Sequence, residues 1–236
     1  MIIMSATVLR GILTILAIVL PITFLIKGIY GSFIFSFSIP IIWQIGFLGE
    51  TLCSLGLRMK SITSSILVGL GSGCLIGVIG GNLLKCLGMT GYLFDKTDKL
   101  QLSLGSFNVS FSLQNELSYR LLGASSSGVG VCIYFLFSVF AIGLGEEIFW
   151  RGFVQKKISD HFSLNKSVWI TAALFALIHS YVFTILPFKT GMLFLLLIAI
   201  VGAMWGYLFN YFGNIWVSAI SHGVVAFIIW KYYFFV

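Results

Sequence analysis

The chain has 236 residues, of which 59% are hydrophobic and only 9% are charged. Soluble domains carry about 25% charged residues, so this composition excludes a soluble globular protein. The formal net charge of +7 comes from basic residues that lie singly or in pairs between apolar segments. Residues placed in this way set membrane topology or meet anionic headgroups, and they do not indicate nucleic-acid binding. The four cysteines lie far apart without a C-x-x-C pair, which argues against a thiolate metal site or a disulfide framework.

Apolar runs of membrane length predict seven spanning helices, near residues 9–26, 30–48, 62–84, 128–150, 168–187, 191–209 and 214–235. The polar middle of the chain leaves room for an eighth. Long apolar runs favour helices over a barrel, because a helix satisfies its own backbone hydrogen bonds in lipid. We therefore predict an all-α fold, a polytopic transmembrane helical bundle. It forms one integral-membrane domain over residues 1–236, with its motif-bearing core at about 128–235.

The basic loops of this multi-pass protein favour one orientation in the membrane. We expect it in the cell's inner (plasma) membrane. The segment RGFVQKKISDHFSLNK, which begins at Arg151, would make a compact positive loop on the inner side. That arrangement favours an N-terminus inside and a C-terminus outside.

Glycines at regular spacing mark two of the predicted spans. The third span carries a glycine at every fourth position, at Gly69, Gly73, Gly77 and Gly81. Small residues at this spacing line one face of a helix and let a neighbouring helix approach closely. Gly202 and Gly206, on the sixth span, are also four residues apart. We expect both faces to be helix–helix contacts.

The polar middle of the chain contains one alternating segment, LQLSLGSFNVSFSL, at residues 100–113. Its apolar and polar residues alternate on both sides of Gly105 and Ser106. Two-residue periodicity around a Gly-Ser step predicts a β-hairpin. We expect this hairpin outside the membrane or at its surface.

The stretch AIGLGEEIFWRGF, at residues 141–153, places two of the chain's seven acidic residues side by side. Glu147 and Arg151 are four residues apart, about 40° around a helix, so they can form an ion pair on one face. Glu146 is turned about 100° away from Glu147 and projects towards a different neighbour. One carboxylate therefore has a local partner, and the other needs a distant one.

Two histidines lie inside predicted spans, His179 in the fifth and His222 in the seventh, whereas His161 lies in a polar loop. Ionisable groups within spans are costly and usually face a bundle interior or a wet cavity. Counted at about 1.5 Å per residue from the ends of their spans, Glu146 and the two intramembrane histidines reach the same half of the bilayer. The sequence thus predicts that the three groups converge.

A carboxylate and two imidazoles in such a pocket can polarise a water molecule and stabilise an oxyanion. The same three residues could instead hold a zinc ion, since two histidines and a glutamate form a known catalytic ligand set. Structural roles are also open: the glutamates and Arg151 could form an interfacial ion pair, and the histidines could join helices. The residues alone do not decide between these readings.

Three motifs carry a resemblance to a known family: EEIFWR with Glu146, Glu147 and Arg151, FALIH with Phe175 and His179, and NIWVSAISH with His222. Their order and spacing on three separate spans resemble the E-E-x-x-x-R, F-x-x-x-H and H motifs of the CPBP family. This family comprises CAAX proteases and bacteriocin-processing enzymes, also called Abi proteins. The resemblance covers residues 135–230 or so.

The resemblance implies an intramembrane endopeptidase that cleaves a peptide or a membrane-anchored protein within the lipid bilayer. It implies that Glu146 activates a water molecule with help from His179, while His222 stabilises the tetrahedral oxyanion. The supporting residues would be Glu147, Arg151 and Phe175. The resemblance favours catalysis without a cofactor, with zinc on Glu146, His179 and His222 as the alternative.

One position departs from the family pattern. The last motif usually reads H-x-x-x-N or H-x-x-x-D, and here Ala226 stands at the polar position. Either Ser221, Ser218 or Asn214 substitutes for the missing side chain, or activity is reduced. The alternative function is therefore a catalytically weak or inactive family member that acts as a membrane scaffold, immunity or peptide-binding protein. A transporter with a proton relay is a weaker reading, because the sequence lacks two corresponding broken-helix halves.

Overall fold

The described part of the chain is helical apart from one short hairpin. The computed structural model describes residues 41–47, 51–89, 100–104, 107–111, 128–184 and 186–234, with isolated positions 19, 38 and 49. Short π-helical and 3-10 segments, Ile42–Phe47 and Leu52–Leu55, precede the first long helix. The two strands are β1 (Leu100–Leu104) and β2 (Phe107–Phe111).

Five helices form the body of the described structure. They are α1 (Ile62–Cys86), α2 (Gly128–Ser159), α3 (Leu164–Leu177), α4 (Phe188–Phe212) and α5 (Trp216–Ile229). Helix α3 continues as a 3-10 helix over Ile178–Thr184, and α5 continues as a π-helix over Trp230–Phe234. Gly213, between α4 and α5, has a φ of 64°, a left-handed conformation that ends α4 and suits glycine.

Three of these helices are long and apolar enough to cross a membrane, by length and composition, among the described residues: α1, α2 and α4. They correspond to the predicted spans at 62–84, 128–150 and 191–209. The predicted spans at 168–187 and 214–235 are less regular, since α3 and α5 each have only 14 α-helical residues before their geometry changes. The span at 9–26 falls outside the described residues except for position 19, and only residues 38 and 41–47 of the span at 30–48 are described. The helical class is confirmed, and the count of seven spans is not.

The predicted hairpin is present. β1 and β2 pair antiparallel, with Leu100 opposite Phe111 and Leu104 opposite Phe107. This register makes Leu104 and Phe107 the closing pair, one on each side of the Gly-Ser step about which the sequence alternates. The alternating pattern therefore predicted this element of the polar middle correctly.

The glycine face of α1 packs against α5, as predicted. A Cβ added at Gly73 would lie 2.7 Å from the Cβ of Val224 and 2.8 Å from the carbonyl oxygen of Ser221. A Cβ at Gly69 would lie 2.9 Å from the Cβ of Ile220. Contacts this short mean that only glycine allows the two backbones to approach so closely.

The described structure has an apolar exterior and a partly polar interior. Large side chains such as Leu67, Leu75 and Val129 are exposed by 66%, 62% and 71%. The buried polar side chains are Gln44, Ser65, Ser138, Glu146, Glu147, Arg151, Gln155, Ser167, Thr171, Asn214, Ser218, Ser221 and His222. Polar groups that face inward while apolar groups face outward are the organisation of an integral membrane protein.

Candidate active site

Helix α2 changes geometry on both sides of its two glutamates. Glu146 and Glu147 end a four-residue α-helical stretch, Leu144–Glu147, which lies between π-helical turns at Ser138–Gly143 and Ile148–Gln155. A π-helical turn has more residues per turn than an α-helix, so it re-aims the side chains that follow it. Such turns occur frequently at functional sites.

Two glycines bring α2 and α5 into backbone contact beside these glutamates. A Cβ added at Gly143 would clash with the carbonyl oxygen of Ala219, and one added at Gly223 would lie 2.7 Å from the carbonyl oxygen of Ser138. Gly143 lies one turn before Glu147, and Gly223 directly follows His222. The crossing therefore holds the carboxylates of α2 against the imidazole of α5.

Glu147 joins two cationic or potentially cationic groups. Its Oε1 atom accepts a hydrogen bond from Arg151 Nη1 at 2.7 Å, the ion pair that the four-residue spacing predicted. The same oxygen lies 3.0 Å from His222 Nδ1. A carboxylate that already pairs with an arginine acts as an acceptor, so we assign the proton to His222 Nδ1, which donates to Glu147. The sequence did not predict this second bond, because the partners are 75 residues apart.

Arg151 is completely buried, and three groups surround it besides Glu147. Its Nη2 donates to the carbonyl oxygen of Gly202 at 2.7 Å. Its guanidinium carbon lies 5.1 Å from the ring centroid of Phe175 and 5.6 Å from that of Trp205, distances at which a cation is attracted to an aromatic face. Arg151 therefore fastens α2 to both α3 and α4.

Glu146 has a different environment. The residue is 7% exposed, and its Oε2 atom lies 3.9 Å from His222 Nε2. That distance is too long for a direct hydrogen bond. Oε2 is buried and has no hydrogen-bond partner among the residues that the structure describes. The two carboxylates thus lie beside opposite nitrogens of the His222 ring, and only Glu147 is hydrogen-bonded to it.

His179 lies at the start of the 3-10 segment that follows α3. Its Nδ1 is 2.8 Å from the carbonyl oxygen of Phe175. A carbonyl can only accept, so Nδ1 carries the proton and Nε2 is the acceptor nitrogen of the neutral ring. The Phe175 ring contacts both imidazoles, with centroids 5.0 Å from His179 and 5.9 Å from His222. Phe175 therefore lies between the two histidines.

The structure thus brings the six predicted site residues into one neighbourhood: Glu146, Glu147, Arg151, Phe175, His179 and His222. Sequence reasoning missed Trp205, whose ring stacks on His222 with centroids 4.0 Å apart and an interplanar angle of 18°. One signal was available. Trp205 is three residues after Gly202, on the face of α4 that the glycines marked as a helix contact.

The polar residues suggested as substitutes for the family's missing side chain have other partners. Ser218 Oγ donates to the carbonyl oxygen of Ile215. Asn214 Nδ2 donates to the carbonyl oxygen of Lys60 at 2.9 Å, and its Oδ1 accepts from the backbone nitrogen of Trp216 at 3.1 Å. Ser221 is engaged with Trp205 and with a serine of α1. Ala226 itself is buried, one turn after His222.

The described side chains, as they stand, are not arranged as a zinc site. Within the described ranges, no group of three or more His, Cys, Asp or Glu side chains is arranged to hold a metal ion. The donor set that the sequence offered for zinc, Glu146, His179 and His222, therefore does not meet this geometric requirement.

Comparison with protein families gives one match. The family described as type II CAAX prenyl endopeptidase Rce1-like matches residues 128–228, which contain every predicted site residue. The matched range begins with α2 and leaves α1 outside. Searches of curated proteins and of solved structures give no significant match.

Proposed function

We propose that the protein is an intramembrane endopeptidase, because residues 128–228 match the family described as type II CAAX prenyl endopeptidase Rce1-like. One observation carries the proposal beyond the family match. Glu147 is bound by Arg151 and His222, whereas Glu146, next to it, keeps a buried carboxylate oxygen 3.9 Å from His222 Nε2. The contacts of Glu147 suit a residue that positions its neighbours, and the unbonded oxygen of Glu146 suits a general base.

In the proposed reaction, Glu146 activates the water molecule. One oxygen atom can bridge two polar atoms 3.9 Å apart, so a water could contact Glu146 Oε2 and His222 Nε2 together. Glu146 takes one proton while the hydroxide oxygen forms a bond to the carbonyl carbon. His179, which holds its own proton on Nδ1, can accept a hydrogen bond from this water through Nε2.

His222 stabilises the tetrahedral intermediate in this scheme. Its Nδ1 donates to Glu147, so Nε2 can donate to the oxyanion only when the ring carries both protons. The buried cluster would then hold two cations, Arg151 and His222, against two carboxylates. The proton on Glu146 passes to the leaving nitrogen as the C–N bond breaks, which restores the carboxylate.

The substrate class follows from the setting of the site. Glu146 and His222 are buried in an apolar bundle, so a water-soluble protein would have to enter the membrane to reach them. We propose a peptide or a membrane-anchored protein as the substrate, with a prenylated C-terminal peptide as the first candidate because of the family. We place the enzyme in the cell's inner membrane as a multi-pass protein of about seven spans.

The test is cleavage by purified protein in nanodiscs, with peptides that carry or lack a prenyl group. We expect Glu146→Gln to lower kcat by about 10³-fold or more, since the general base and its charge are both lost. Asp160→Asn is the matched control, because Asp160 is an exposed acidic residue that directly follows α2. Normal turnover by Glu146→Ala would contradict the proposal, and a binding or scaffold role would then be the better interpretation of this protein.

We propose that the reaction needs no metal. Elemental analysis of active protein should find less than one zinc per chain, and a chelator should leave kcat unchanged. Loss of activity on chelation, restored by zinc alone, would contradict this part of the proposal while preserving the peptidase assignment.

A further inference from the structure

Besides its edge contact with Phe175, the His222 ring has two closer contacts of different kinds. Its Nδ1 is hydrogen-bonded to Glu147 Oε1 at 3.0 Å, and its face is stacked on Trp205 with centroids 4.0 Å apart. A single hydrogen bond at Nδ1 leaves the plane of the ring free to tilt. The stack at 18° sets that plane, and the two contacts together determine where Nε2 points.

Trp205 is itself held by a chain of hydrogen bonds. Its Nε1 donates to Ser221 Oγ at 3.1 Å, and Ser221 Oγ lies 3.0 Å from Ser72 Oγ. Ser72 Oγ also lies 2.6 Å from the carbonyl oxygen of Val68, which can only accept. Each hydroxyl has one proton, so the consistent arrangement is that Ser72 donates to Val68 and Ser221 donates to Ser72. The chain then satisfies every donor from the indole ring to the backbone of α1.

The close approach of α1 makes this chain possible. Ser72 lies on the face of α1 between Gly69 and Gly73, the two glycines whose missing side chains let α5 come close. The Ser221 hydroxyl spans the remaining distance to Ser72. A helix outside the matched range 128–228 thus contacts the support of the site.

We propose that Trp205 is a positioning residue that fixes the plane of His222, and that Ser221 and Ser72 anchor it to α1. The proposal rests on the proposed peptidase function for its kinetic consequence, but the geometry of the stack can be tested without activity. Positioned catalytic groups are sensitive to small displacements, and a misplacement of about 1 Å can cost about 10²-fold in rate. We therefore expect the effect on kcat and not on KM.

The kinetic arm compares three single variants and one double variant. Trp205→Leu removes the stack and should lower kcat by roughly 10²-fold, while Ser221→Ala releases the indole and should lower kcat by roughly tenfold, both with KM unchanged. Trp205→Phe keeps a ring on His222 but loses the N–H group. In that background Ser221→Ala should have no further effect, because both changes remove the same hydrogen bond.

Matched controls separate positioning from general damage to the fold. Trp169 is 49% exposed on α3, and Ser64 is exposed on α1. Trp169→Phe and Ser64→Ala should leave kcat and KM unchanged. A rise in KM that accompanies the fall in kcat of Ser221→Ala would indicate a distorted bundle and would overturn the positioning role.

The second arm measures the fluorescence of Trp205, taken as the difference between each protein and its Trp205→Phe counterpart. An imidazole in face contact with indole quenches its emission, so His222→Gln should raise the Trp205 signal. Ser221→Ala should raise it partly, and Ser64→Ala should not change it. An unchanged signal in Ser221→Ala would overturn the anchor, whatever the kinetics.

The two arms distinguish the ways in which the proposals can fail. If wild type cleaves no peptide but Ser221→Ala raises the Trp205 emission, the peptidase function fails and the anchored stack stands. If the emission rises while kcat is unchanged, the stack is only structural and the positioning role is overturned. Both a kcat loss and an emission rise are required to sustain it.

Discussion

Helices α1 and α4 each carry glycines four residues apart, but the two helices use them differently. On α1, Gly73 faces the Cβ of Val224 and a backbone oxygen of α5, so the seam between α1 and α5 is a close backbone contact. On α4, the carbonyl oxygens of Gly202 and Gly206 accept hydrogen bonds from Arg151 and Gln155 of α2. The first, which we call the apolar seam, is mainly apolar apart from the Ser72–Ser221 contact. The second, between α2 and α4, buries the charge of Arg151, and we call it the polar seam.

The difference shows what glycine spacing can and cannot indicate. A glycine removes a side chain, which exposes both a patch of backbone surface and the carbonyl oxygens along it. Whether a neighbouring helix fills that patch with a methyl group or with a guanidinium depends on the neighbour. In this protein the polar seam lies behind the candidate active site, and Arg151 links it to Glu147.

The largest effect should come from breaking the ion pair of the polar seam. Arg151→Met removes one partner of a pair in which both side chains are completely buried. Loss of one partner leaves an uncompensated charge, so we expect about 3–5 kcal/mol less stability. Thermal unfolding in detergent, followed by circular dichroism, should report a much lower Tm.

The double variant Glu147→Gln with Arg151→Met provides the control. It removes both charges of the pair, and we expect it to be more stable than Arg151→Met alone. If the double variant is instead the less stable of the two, the charge of Glu147 is compensated without Arg151, and the explanation by an uncompensated buried charge fails.

The next largest effect should come from the apolar seam. Gly73→Ala would place a Cβ 2.8 Å from the carbonyl oxygen of Ser221, a backbone atom that cannot move aside alone. We expect a loss of about 1–3 kcal/mol, as for other overpacked contacts. Gly71 is on the same helix, with nothing within 4 Å of its added Cβ. Gly71→Ala should therefore leave Tm unchanged, and equal losses in the two variants would refute the seam.

Features that depend on a local sequence pattern were predictable from the sequence. The four-residue spacing of Glu147 and Arg151 gave their ion pair, and the alternating pattern at 100–113 gave the hairpin. The regular glycines of α1 gave its contact face. Each of these three features follows from a regular spacing of residues within a short segment, and such a spacing can be read from the sequence itself.

Contacts between helices were harder to predict. Glu147 appeared to have a single partner, and its bond to His222 depends on how α2 and α5 rotate against each other. The π-helical turns beside the glutamates change that rotation, and no pattern in the sequence predicted these turns. Trp205 was one of six tryptophans in an apolar chain. Its contact with His222 is set by three-dimensional packing.

The smallest effect should come from Gly206, on the polar seam. A Cβ added there would lie 2.7 Å from Gln155 Oε1 and 3.1 Å from Val168 Cγ1. The amide is the far end of a flexible side chain, so it can turn away at the cost of its 3.2 Å bond to the Gly206 carbonyl. One neutral hydrogen bond contributes about 0.5–1.5 kcal/mol, and we expect Gly206→Ala to lose no more stability than that.

The control removes the other partner of the same bond. Gln155→Met should cost a similar amount of stability, and the double variant should cost no more than either single change. A loss from Gly206→Ala as large as that from Gly73→Ala would mean that the polar seam is as rigid as the apolar one.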